Sequence, residues 1–451
     1  MGRLFGTDGV RGVANTELTA ELAYQLGFYG AVVLGGDNQI SPRILVGQDS
    51  RLSGDMLQAA LVAGITSSGA DVYLAGVLPT PGVAYLTQSQ NFDAGVMISA
   101  SHNSFEFNGI KFFNRDGYKL PDEVEDEIEA YIKGDKPCDK PAKTGVELGR
   151  AHLFNQGQMR YMQHLKDKMG LDLSGLKIAL DCANGAASFI APALYRELGA
   201  ELIVIAAEPD GRNINHDCGS TYLTKLRKTV VDERCDLGFA FDGDADRMLA
   251  VDNTGKSVDG DQIMLIIAKN MMRQQLLPHD MLVVTVMSNL GLRRAAKQLG
   301  MELTVTKVGD RYVLEEMRAK GYAFGGEQSG HMIMLEHTTT GDGILSSLAL
   351  LHALLNSRST LNQAAQIMHV YPQVLVPAFI PNDKKNAAMS DPEILELIHK
   401  VEDSLGEDGR VLVRPSGTEP QIRVMIEGDD SKQIKALANE IANAIVSKYT
   451  D

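Results

Sequence analysis

A three-part pattern that occurs three times constrains the fold of this 451-residue chain more than any other feature. Each copy begins with an apolar strand that runs into a polar loop and a helix, and a second strand follows that helix. The third part is an apolar strand that ends in a polar loop and resumes as another strand. The copies begin at residues 44–50, 177–185 and 282–289, and the predicted strands that end in their polar loops are residues 94–98, 237–241 and 322–324. Because strands that alternate with helices are typical of parallel sheets, the pattern predicts three related α/β domains.

The C-terminal part of the chain departs from this repeat. Residues 373–451 read as strand, helix, strand, loop, strand and helix, and Asp391 followed by Pro392 marks the start of the first helix. We therefore expect three related α/β domains with mixed sheets plus a C-terminal α+β domain, arranged around a central cleft. A chain of this length needs several domains. The predicted domains are residues 1–150, 151–256, 257–370 and 371–451.

Composition narrows the possible partners. The 43 Lys and Arg residues against 58 Asp and Glu give a formal charge of -15, which argues against nucleic acid and anionic membrane surfaces. The four cysteines form no C-x-x-C pair, so neither a zinc site nor a disulfide framework is expected. No apolar run approaches the length of a membrane span. We expect a cytoplasmic protein with reduced cysteines that acts on a small molecule.

The first polar loop of the repeat contains Ser101, His102 and Asn103. In open α/β sheets, ligands bind at the carboxyl ends of strands, which is where this loop begins. The Ser101 hydroxyl could satisfy its own turn or act as a nucleophile, and taken alone the pattern favours the turn. If the three domains face one another, their loops converge on one cleft, and the neighbouring loops then favour the nucleophile.

The second loop gathers three carboxylates, those of Asp242, Asp244 and Asp246, and is followed by Arg247. Like charges so close repel one another unless a cation lies between them. A solvated acidic turn is the alternative, but a loop that leaves a buried strand has little reason to collect three aspartates. The pattern predicts a Mg²⁺ site whose remaining ligands are water or phosphate oxygens.

The third loop, residues 326–331, presents a carboxylate, an amide and a hydroxyl between two glycines, and an imidazole follows the second glycine. Such a set suits a ligand rich in hydroxyl groups, because a carboxylate can accept two hydrogen bonds at once. His331 could carry a proton or make a merely structural hydrogen bond. The polar side chains of this loop are Glu327, Gln328, Ser329 and His331.

Two further segments could bind anions. Residues 5–12 form either a tight turn or a segment that brings Arg11 near an anion. In the C-terminal domain, one loop combines a guanidinium, two hydroxyls and closely spaced backbone N–H groups, which together suit a phosphate dianion, although a plain turn is the alternative. The residues of this candidate phosphate clamp are Arg414, Ser416, Gly417 and Thr418, with Arg423 on the next strand.

A nucleophile, a cation site, a hydroxyl-binding loop and a phosphate clamp together describe phosphoryl transfer on a sugar phosphate. No Walker A, Rossmann or nucleophile-elbow motif lies at a suitable strand end, so ATP, NAD and acyl-transfer functions lack support. These loops resemble the four signature loops of the α-D-phosphohexomutases, and they extend over the chain from Phe5 to Arg423. Residues 5–9, 99–103 and 326–331 are most similar to the members that act on glucosamine phosphate. One departure is Ser104, where members commonly carry proline.

The resemblance implies an isomerase that interconverts glucosamine 6-phosphate and glucosamine 1-phosphate, toward UDP-N-acetylglucosamine and cell-wall synthesis. Ser101 would be carried as a phosphoserine, and its phosphoryl group would pass to the substrate to make a sugar 1,6-bisphosphate, which is both intermediate and activator. The other phosphate of that intermediate would then return to Ser101. One Mg²⁺ per subunit would be held by Ser101, Asp242, Asp244 and Asp246.

The resemblance also assigns the remaining roles. Proton transfer falls to Lys111 or His331, and the sequence does not rank them. The chain is expected to form a homodimer and to close its cleft with a fourth domain hinged near residues 371–372. The expected catalytic residues are Ser101, Lys111, His331, Arg11 and His102. The expected substrate-binding residues are Arg247, Glu327, Gln328, Ser329, Arg414, Ser416, Gly417, Thr418 and Arg423.

Three other functions stay open at this point. A phosphoglucomutase or phosphomannomutase would differ only in what it tolerates at the sugar's C2, and Gln328 alone resembles the glucosamine enzymes. A sugar-phosphate sensor would keep the binding loops without turnover and without a phosphate on Ser101. A Mg²⁺-dependent phosphatase would release inorganic phosphate.

Overall fold

The computed structural model describes residues 3–6, 8–35, 41–416 and 419–449. They fall into two compact units. Unit 1 contains Met1–Met287 and Met301–Ile367, and unit 2 contains Ser288–Gly300 and Met368–Asp451. Among the helices of these described ranges, none is long and apolar enough to cross a membrane.

The first sheet of unit 1 has six strands. They are β1 (Val10–Val13), β2 (Arg43–Gln48), β3 (Asp71–Val77), β4 (Ala94–Ile98), β5 (Phe107–Asn114) and β6 (Ala151–Leu153). The helices of this stretch are α1 (Ala20–Leu34), α2 (Gly54–Ser67), α3 (Thr80–Ser89), α4 (Asp122–Lys133) and α5 (Gly157–Met169). The strand order is β1-β5-β4-β2-β3-β6, and β2, β3, β4 and β6 run parallel while β5 is antiparallel to β4 and β1.

Local sequence explains how these elements form. The side chain of Thr19 caps α1 by accepting a hydrogen bond from the backbone N–H of Leu22. Strand β4 is apolar along its whole length because every one of its residues is buried. Leu26 of α1 and Leu61 of α2 belong to the same core cluster as Val46 of β2, so these helices cover the sheet.

The second sheet has five strands in the order β11-β10-β9-β7-β8. They are β7 (Lys177–Asp181), β8 (Glu201–Ile205), β9 (Leu237–Phe241), β10 (Met248–Asp252) and β11 (Ser257–Val258), and the helices between them are α6 (Ala187–Glu197) and α7 (Thr224–Asp232). Strand β7 pairs parallel with β8 and β9, and β10 is antiparallel to β9.

The third sheet has four strands in the order β13-β12-β14-β15. They are β12 (Met281–Thr285), β13 (Glu302–Thr306), β14 (Phe324–Gly326) and β15 (Met332–Met334). The accompanying helices are α8 (Gly260–Arg273), α9 (Leu290–Leu299), α10 (Asp310–Lys320), α11 (Gly343–Ser357) and α12 (Leu361–Ala364). Strand β12 pairs parallel with β13 and β14, and β15 is antiparallel to β14.

The three sheets share one topology. In each, a central strand pairs parallel with the next two strands of the chain, and the following strand turns back antiparallel. The three central strands are β2, β7 and β12, and the antiparallel strands are β5, β10 and β15. The turn that reverses direction holds the polar loop in every copy. The predicted repeat is therefore confirmed, and it places the three loops at equivalent strand ends.

Unit 2 contains an antiparallel sheet in the order β16-β18-β17. Its strands are β16 (Gln373–Phe379), β17 (Gly409–Pro415) and β18 (Gln421–Gly428), and its further helices are α13 (Lys385–Met389), α14 (Pro392–Leu405) and α15 (Ser431–Tyr449). The side chain of Asp391 caps α14 as predicted, accepting from the backbone N–H groups of Glu393 and Ile394. The prediction of three α/β domains with mixed sheets and a C-terminal α+β domain is confirmed.

Helix α9 belongs to unit 2 although β12 and β13 on either side of it belong to unit 1. Its N-cap residue, Asn289, donates side-chain hydrogen bonds to the carbonyl of Tyr371 (3.0 Å) and to the buried carboxylate of Glu427 (3.2 Å). These bonds attach the start of the helix to the rest of unit 2, a grouping that the repeat pattern did not predict.

One local prediction is wrong. The strand predicted at residues 322–324 begins instead at Phe324, because the backbone N–H of Tyr322 still bonds to the carbonyl of Met317 at the end of α10 (2.9 Å). In residues 5–12 the backbone N–H of Gly6 bonds to the carbonyl of Gly9 (2.9 Å). Their last residues form β1, which pairs with β5, so that Arg11 lies opposite Gly109.

Asp181 ends β7 with a fully buried side chain. One carboxylate oxygen accepts a hydrogen bond from the backbone N–H of Ala183 (3.0 Å), while Oδ2 has no hydrogen-bond partner in the described part of the chain. Burial raises the pKa of Asp181 from 3.8 to about 6. The folded protein therefore holds this proton more tightly than the unfolded chain does.

The stability contribution of Asp181 follows from that difference. Because its folded-state pKa is raised, stability is highest at low pH and is lost as the pH rises from about 4 to about 6. The full loss is on the order of 3 kcal/mol. Asp181→Asn removes the buried charge, so its melting temperature relative to the wild type should rise as the pH rises from about 4 to about 6 and should then level off. A difference that does not depend on pH would contradict this prediction.

Candidate functional site

Three polar loops of unit 1 meet at one place, and direct hydrogen bonds join them. The Ser101 hydroxyl, in the loop after β4, donates to Oδ2 of Asp242, in the loop after β9 (2.5 Å). The backbone N–H of Met248 donates to the carbonyl of Gly330, in the loop after β14 (3.1 Å), and Arg247 pairs with His331 in an isolated bridge. The sequence prediction that these loops converge is thus met within unit 1.

Ser101 is held in an uncommon conformation at the centre of this site. Its residue is 1% exposed, and its φ is +51°, in the left-handed region that non-glycine residues rarely adopt. This conformation accompanies the hydrogen bond from its hydroxyl to Asp242. A hydroxyl beside a carboxylate, at a strand end, is the arrangement expected of a nucleophile.

Oxygen atoms of Asp242, Asp244 and Asp246 lie within 4.8 Å of one another, and all three residues are buried. Oδ1 of Asp244 and Oδ1 of Asp246 are buried without a hydrogen-bond partner among the described residues. Burial, reinforced by the two neighbouring carboxylates, holds the pKa of Asp242 well above its usual range. Three buried carboxylates so close together, two of them with an unpartnered oxygen, fit a hard divalent cation, so the cluster can hold a metal ion.

Gly243 allows this loop to approach Ser101. A Cβ at Gly243 would lie 2.5 Å from the carbonyl oxygen of Ser101 and 2.9 Å from the side-chain nitrogen of Asn215. Other residues would therefore push the aspartate loop away from the serine. Thr80 supports the same loop from α3, because its hydroxyl donates to Oδ2 of Asp244 (2.5 Å).

Lys111 reaches the aspartates from β5. Its Nζ donates to Oδ2 of Asp244 (2.8 Å) and lies 3.4 Å from Asp8 and 3.8 Å from Asp246. Burial alone would lower the pKa of Lys111, but Asp244, Asp8 and Asp246 raise it. The ammonium group thus balances part of the negative charge of the cluster.

His331 also lies close to Asp246. Its Nδ1 lies 3.6 Å from Oδ2 of Asp246, the same oxygen that Lys111 approaches. Its Nε2 accepts a hydrogen bond from the backbone N–H of Gly341 (3.1 Å) and lies 3.4 Å from Asp310. Burial would lower the pKa of His331, but Asp246 and Asp310 raise it. Both candidate proton carriers therefore flank one carboxylate.

A partly buried chain of charges connects Lys111 with His331. Nζ of Lys119 donates to Asp8 (2.5 Å) and to Asp310 (2.6 Å), while Asp8 faces Lys111 and Asp310 faces His331. Burial would raise the pKa of Asp8, but Lys111, Lys119 and Arg11 hold it well below its usual range. Sequence analysis missed Lys119 and Asp310, because no motif marks a pair that is 191 residues apart.

Three further predicted residues line the same region. Arg11 pairs with Asp8, and Arg247 lies 3.7 Å from Asp246 and donates its backbone N–H to Asp242 (3.1 Å). His102 is mostly buried, and its Nδ1 has no hydrogen-bond partner in the described ranges. Burial, together with Arg247 and Arg11, lowers the pKa of His102 to about 4.

Two side chains of the predicted sugar-binding loop, residues 326–331, form hydrogen bonds with neighbouring segments. Glu327 accepts from the backbone N–H of Gly309 (3.1 Å), and burial raises its pKa. The side-chain amide of Gln328 donates to Asp259, the N-cap residue of α8 (3.1 Å). Ser329 is exposed. The loop is therefore anchored at Glu327 and Gln328 and presents Ser329 to solvent.

The predicted phosphate loop lies in unit 2. Arg414 of β17 and Arg423 of β18 are cross-strand neighbours, and burial, followed by Arg423, lowers the pKa of Arg414. Arg423 pairs with Glu419 (2.7 Å), whereas the Arg414 guanidinium has no hydrogen-bond or ion-pair partner among the described residues. Two neighbouring guanidinium groups, one of them unpaired, favour an anion.

Ser416 and its surroundings complete the described part of this loop. The Ser416 hydroxyl accepts from the backbone N–H of Glu419 (3.2 Å), and Nζ of the buried Lys385 donates to the Ser416 carbonyl (2.7 Å). Gly417 and Thr418, the other two predicted residues of the clamp, lie outside the described residues. The convergence of this loop with the three loops of unit 1 stays a prediction.

Comparison with known proteins places all four parts of the chain in one family. Four phosphoglucomutase/phosphomannomutase family models match: α/β/α domain I at residues 2–137, domain II at 159–255, domain III at 259–371 and the C-terminal domain at 379–444. A relative named phosphoglucosamine mutase, from Caldicellulosiruptor bescii, is 57% identical over 451 residues and is covered completely, as is this chain.

Two solved structures share the fold. A phosphoglucomutase/phosphomannomutase family protein from Burkholderia thailandensis has a TM-score of 0.82 and 22% identity, with 99% of this chain and 97% of that chain covered. The N-acetylphosphoglucosamine mutase of Aspergillus fumigatus, in complex with GlcNAc-6P and magnesium, has a TM-score of 0.69 and 18% identity, with 99% and 96% covered. With its buried aspartate cluster and its four matching domains, this chain belongs to the phosphoglucomutase/phosphomannomutase family of isomerases.

Proposed function

We propose that this chain interconverts glucosamine 6-phosphate and glucosamine 1-phosphate through a phosphoserine at Ser101. One observation carries the proposal: the Ser101 hydroxyl donates a hydrogen bond to Asp242, which belongs to a buried cluster of three aspartates. Lys111 and His331 contact the other two aspartates of that cluster. The choice of an amino sugar rests on the relative named phosphoglucosamine mutase, which is similar over its whole length.

In the first half of the reaction, the phosphoryl group on Ser101 passes to the free hydroxyl of the substrate. A bond forms between phosphorus and the substrate oxygen, the bond between phosphorus and the Ser101 oxygen breaks, and the hydroxyl proton moves to Lys111 or His331, whichever of the two is in its neutral form. Arg11 and Arg247 supply positive charge near the transferring group. The product of this half is a sugar 1,6-bisphosphate.

In the second half, the bisphosphate presents its other phosphate to Ser101. That phosphoryl group returns to the serine oxygen, the released sugar oxygen takes back a proton, and the isomeric monophosphate leaves. Glu327, Gln328 and Ser329 would bind the sugar hydroxyl groups in both orientations. The enzyme thus ends with Ser101 phosphorylated again. Because this half transfers a phosphoryl group from the bisphosphate to Ser101, added bisphosphate would also activate a dephosphorylated enzyme.

Asp242, Asp244 and Asp246, with an oxygen of the phosphorylated Ser101, would hold the cation, and we propose Mg²⁺ because all of these ligands are oxygens. When bound, the cation neutralises charge on the phosphoryl group and makes it easier to attack. The unpartnered Oδ1 atoms of Asp244 and Asp246 support this assignment.

We propose that Arg414, Ser416, Gly417, Thr418 and Arg423 bind the phosphate that is not transferred. Because each phosphate of the intermediate takes this position in turn, the clamp should recognise phosphate and disregard the sugar. The unpaired guanidinium of Arg414 and its neighbour Arg423 support the assignment for the described residues.

Arg414→Ala should therefore raise KM by about tenfold or more while kcat changes less, because the clamp binds the substrate and the transition state alike. Steady-state kinetics with glucosamine 1-phosphate measure both constants. Lys400→Ala, which removes an exposed cation of α14 in the same unit, is the matched control. An unchanged KM in Arg414→Ala would count against the clamp.

The remaining assignments follow from the family and from composition. We propose four functional domains, residues 1–150, 151–256, 257–370 and 371–451, with a hinge near residues 371–372. The four free cysteines are consistent with a reducing cytoplasm. Resemblance to the phosphohexomutases supports a homodimer.

Substrate competition tests the choice of sugar. We expect kcat/KM for glucosamine 1-phosphate to exceed the values for glucose 1-phosphate and mannose 1-phosphate, because only the first carries an amine at C2. A preference for the glucose substrate would identify a phosphoglucomutase instead. Stoichiometric release of inorganic phosphate would identify a phosphatase, and binding without turnover would identify a sensor.

A further inference from the structure

A buried arginine donates hydrogen bonds to the main chain around Ser101, and no sequence motif indicates it. Arg51 follows β2, and its side chain is 0% exposed. Its Nη2 donates to the carbonyls of Ser101 (2.8 Å) and Asn103 (2.8 Å). Its Nη1 donates to the carbonyl of Phe107 (3.0 Å) and also to that of Ser104. Within residues 101–107 the guanidinium thus binds four backbone carbonyls and no side chain.

Asp49 fixes Arg51 and reaches the same loop by a second route. Its carboxylate accepts from Nε of Arg51 (2.8 Å) and from the hydroxyl of Ser99 (2.6 Å). The Ser99 hydroxyl in turn accepts from the backbone N–H of Ser101 (2.9 Å). Both the N–H and the carbonyl of Ser101 are therefore tied to one buried ion pair.

Asn215 completes the arrangement from the second sheet. Its side-chain amide donates to the carbonyls of Ser101 (2.8 Å) and Asn103 (3.0 Å), which are the two oxygens that Nη2 of Arg51 also binds. Asn215 lies in the loop between β8 and α7, 114 residues from Ser101. The first and second α/β repeats thus hold the Ser101 carbonyl together.

We propose that Arg51, Asp49 and Asn215 are positioning residues that lock Ser101 in its left-handed conformation and keep its Oγ beside Asp242. The proposal rests on the role of Ser101 as the phosphoryl carrier. None of the three side chains bonds to the reacting oxygen, so they act through the backbone.

The chemistry of the reaction explains why such a lock is useful. Ser101 alternates between a neutral hydroxyl and a phosphate with nearly two negative charges, which changes the forces on its side chain in every cycle. The carbonyls that Arg51 and Asn215 bind do not change in that cycle. Hydrogen bonds to the backbone therefore hold the serine equally in both states. Such precision matters because displacement of a reacting group by about 1 Å can lower the rate about a hundredfold.

Asn215→Ala gives the sharpest test, because Asn215 is only partly buried and its loss leaves the Arg51–Asp49 pair intact. We expect kcat to fall about tenfold or more with KM nearly unchanged. Arg51→Lys keeps the charge beside Asp49 but loses the fork, so we expect a larger fall in kcat. The matched control is Asn213→Ala, because the Asn213 side chain, among the described residues, bonds only to the backbone of Glu208 and Asp210 in the same loop.

Hydrogen exchange provides a second readout that does not need turnover. The backbone amides of residues 99–107 should exchange faster in folded Asn215→Ala than in the wild type, and Asn213→Ala should leave them unchanged. If kcat and exchange in Asn215→Ala match the wild type, or if only KM rises, the positioning role is wrong. A wild type without mutase turnover would overturn the proposed function. The exchange experiment would still decide whether Arg51, Asp49 and Asn215 restrain the Ser101 loop.

Discussion

Ser101→Ala should abolish mutase turnover, with kcat reduced by at least about a thousandfold, and should leave the protein without its phosphoryl group. The Ser101 hydroxyl contacts the aspartate cluster by donating a hydrogen bond to Asp242 (2.5 Å). Alanine has no oxygen that could carry the phosphoryl group. The variant should still fold, because Arg51 and Asn215 bind the backbone carbonyl of residue 101, which alanine retains.

Two measurements check this expectation. Coupled assay of glucosamine 1-phosphate formation gives kcat, and intact mass spectrometry shows whether one phosphoryl group is present. Ser89→Ala, an exposed serine at the end of α3, is the matched control and should keep both the phosphate and the activity. Substantial turnover by Ser101→Ala would show that another group carries the phosphoryl group.

Asp244→Asn should lower kcat by at least about a hundredfold and should weaken Mg²⁺ binding. Oδ1 of Asp244 is buried and unpartnered among the described residues, and Oδ2 accepts from Lys111 (2.8 Å) and Thr80 (2.5 Å). Asparagine has nearly the same shape but lacks the charge. The substitution therefore removes a cation ligand and leaves the ammonium group of Lys111 with a weaker partner.

Calorimetric titration with Mg²⁺ measures the loss of binding separately from the loss of activity. Treatment of the wild type with a chelator should abolish turnover, and added Mg²⁺ should restore it. Asp232→Asn, which changes an exposed carboxylate at the end of α7, should bind Mg²⁺ as the wild type does. Unchanged Mg²⁺ affinity in Asp244→Asn would contradict the proposed cation site.

The sequence was informative wherever structure depends on neighbours along the chain. The apolar strands β4 and β9, and the polar loops that follow them, could be read directly, because burial on both faces demands continuous apolar residues. The carboxylate cluster could be predicted because its members alternate along one short loop. Repetition of the same topology then explained why the Ser101, Asp242 and His331 loops meet.

Contacts between distant residues left no such signal. The bonds of Lys119 to Asp8 and Asp310 join residues 111 and 191 positions apart. Lysine and aspartate are common at protein surfaces, so their residue types alone do not indicate that they pair. Arg51 escaped notice for a different reason. Its partners are backbone carbonyls, which every residue has, so nothing in the residue types of the Ser101 loop indicates that an arginine binds them.

Unit boundaries were also hidden from the sequence. Helix α9 occupies the position of a repeat helix, yet Asn289 bonds to Tyr371 and Glu427, and the helix belongs to unit 2. The pattern of apolar residues in α9 shows that one face is buried, but it does not show against which partner. Tyr322 illustrates the same difficulty at an element boundary, where a single backbone bond to Met317 decides the assignment.

Transfer of a label from Ser101 to the sugar tests the central claim most directly. Enzyme that carries a radioactive phosphoryl group on Ser101 is mixed with an excess of unlabelled glucosamine 6-phosphate and quenched within one turnover. The phosphoserine mechanism predicts that the label leaves the protein and appears on the sugar, in the bisphosphate and then in a monophosphate. Product that forms while the label stays on the protein, or label that leaves as inorganic phosphate, would contradict it.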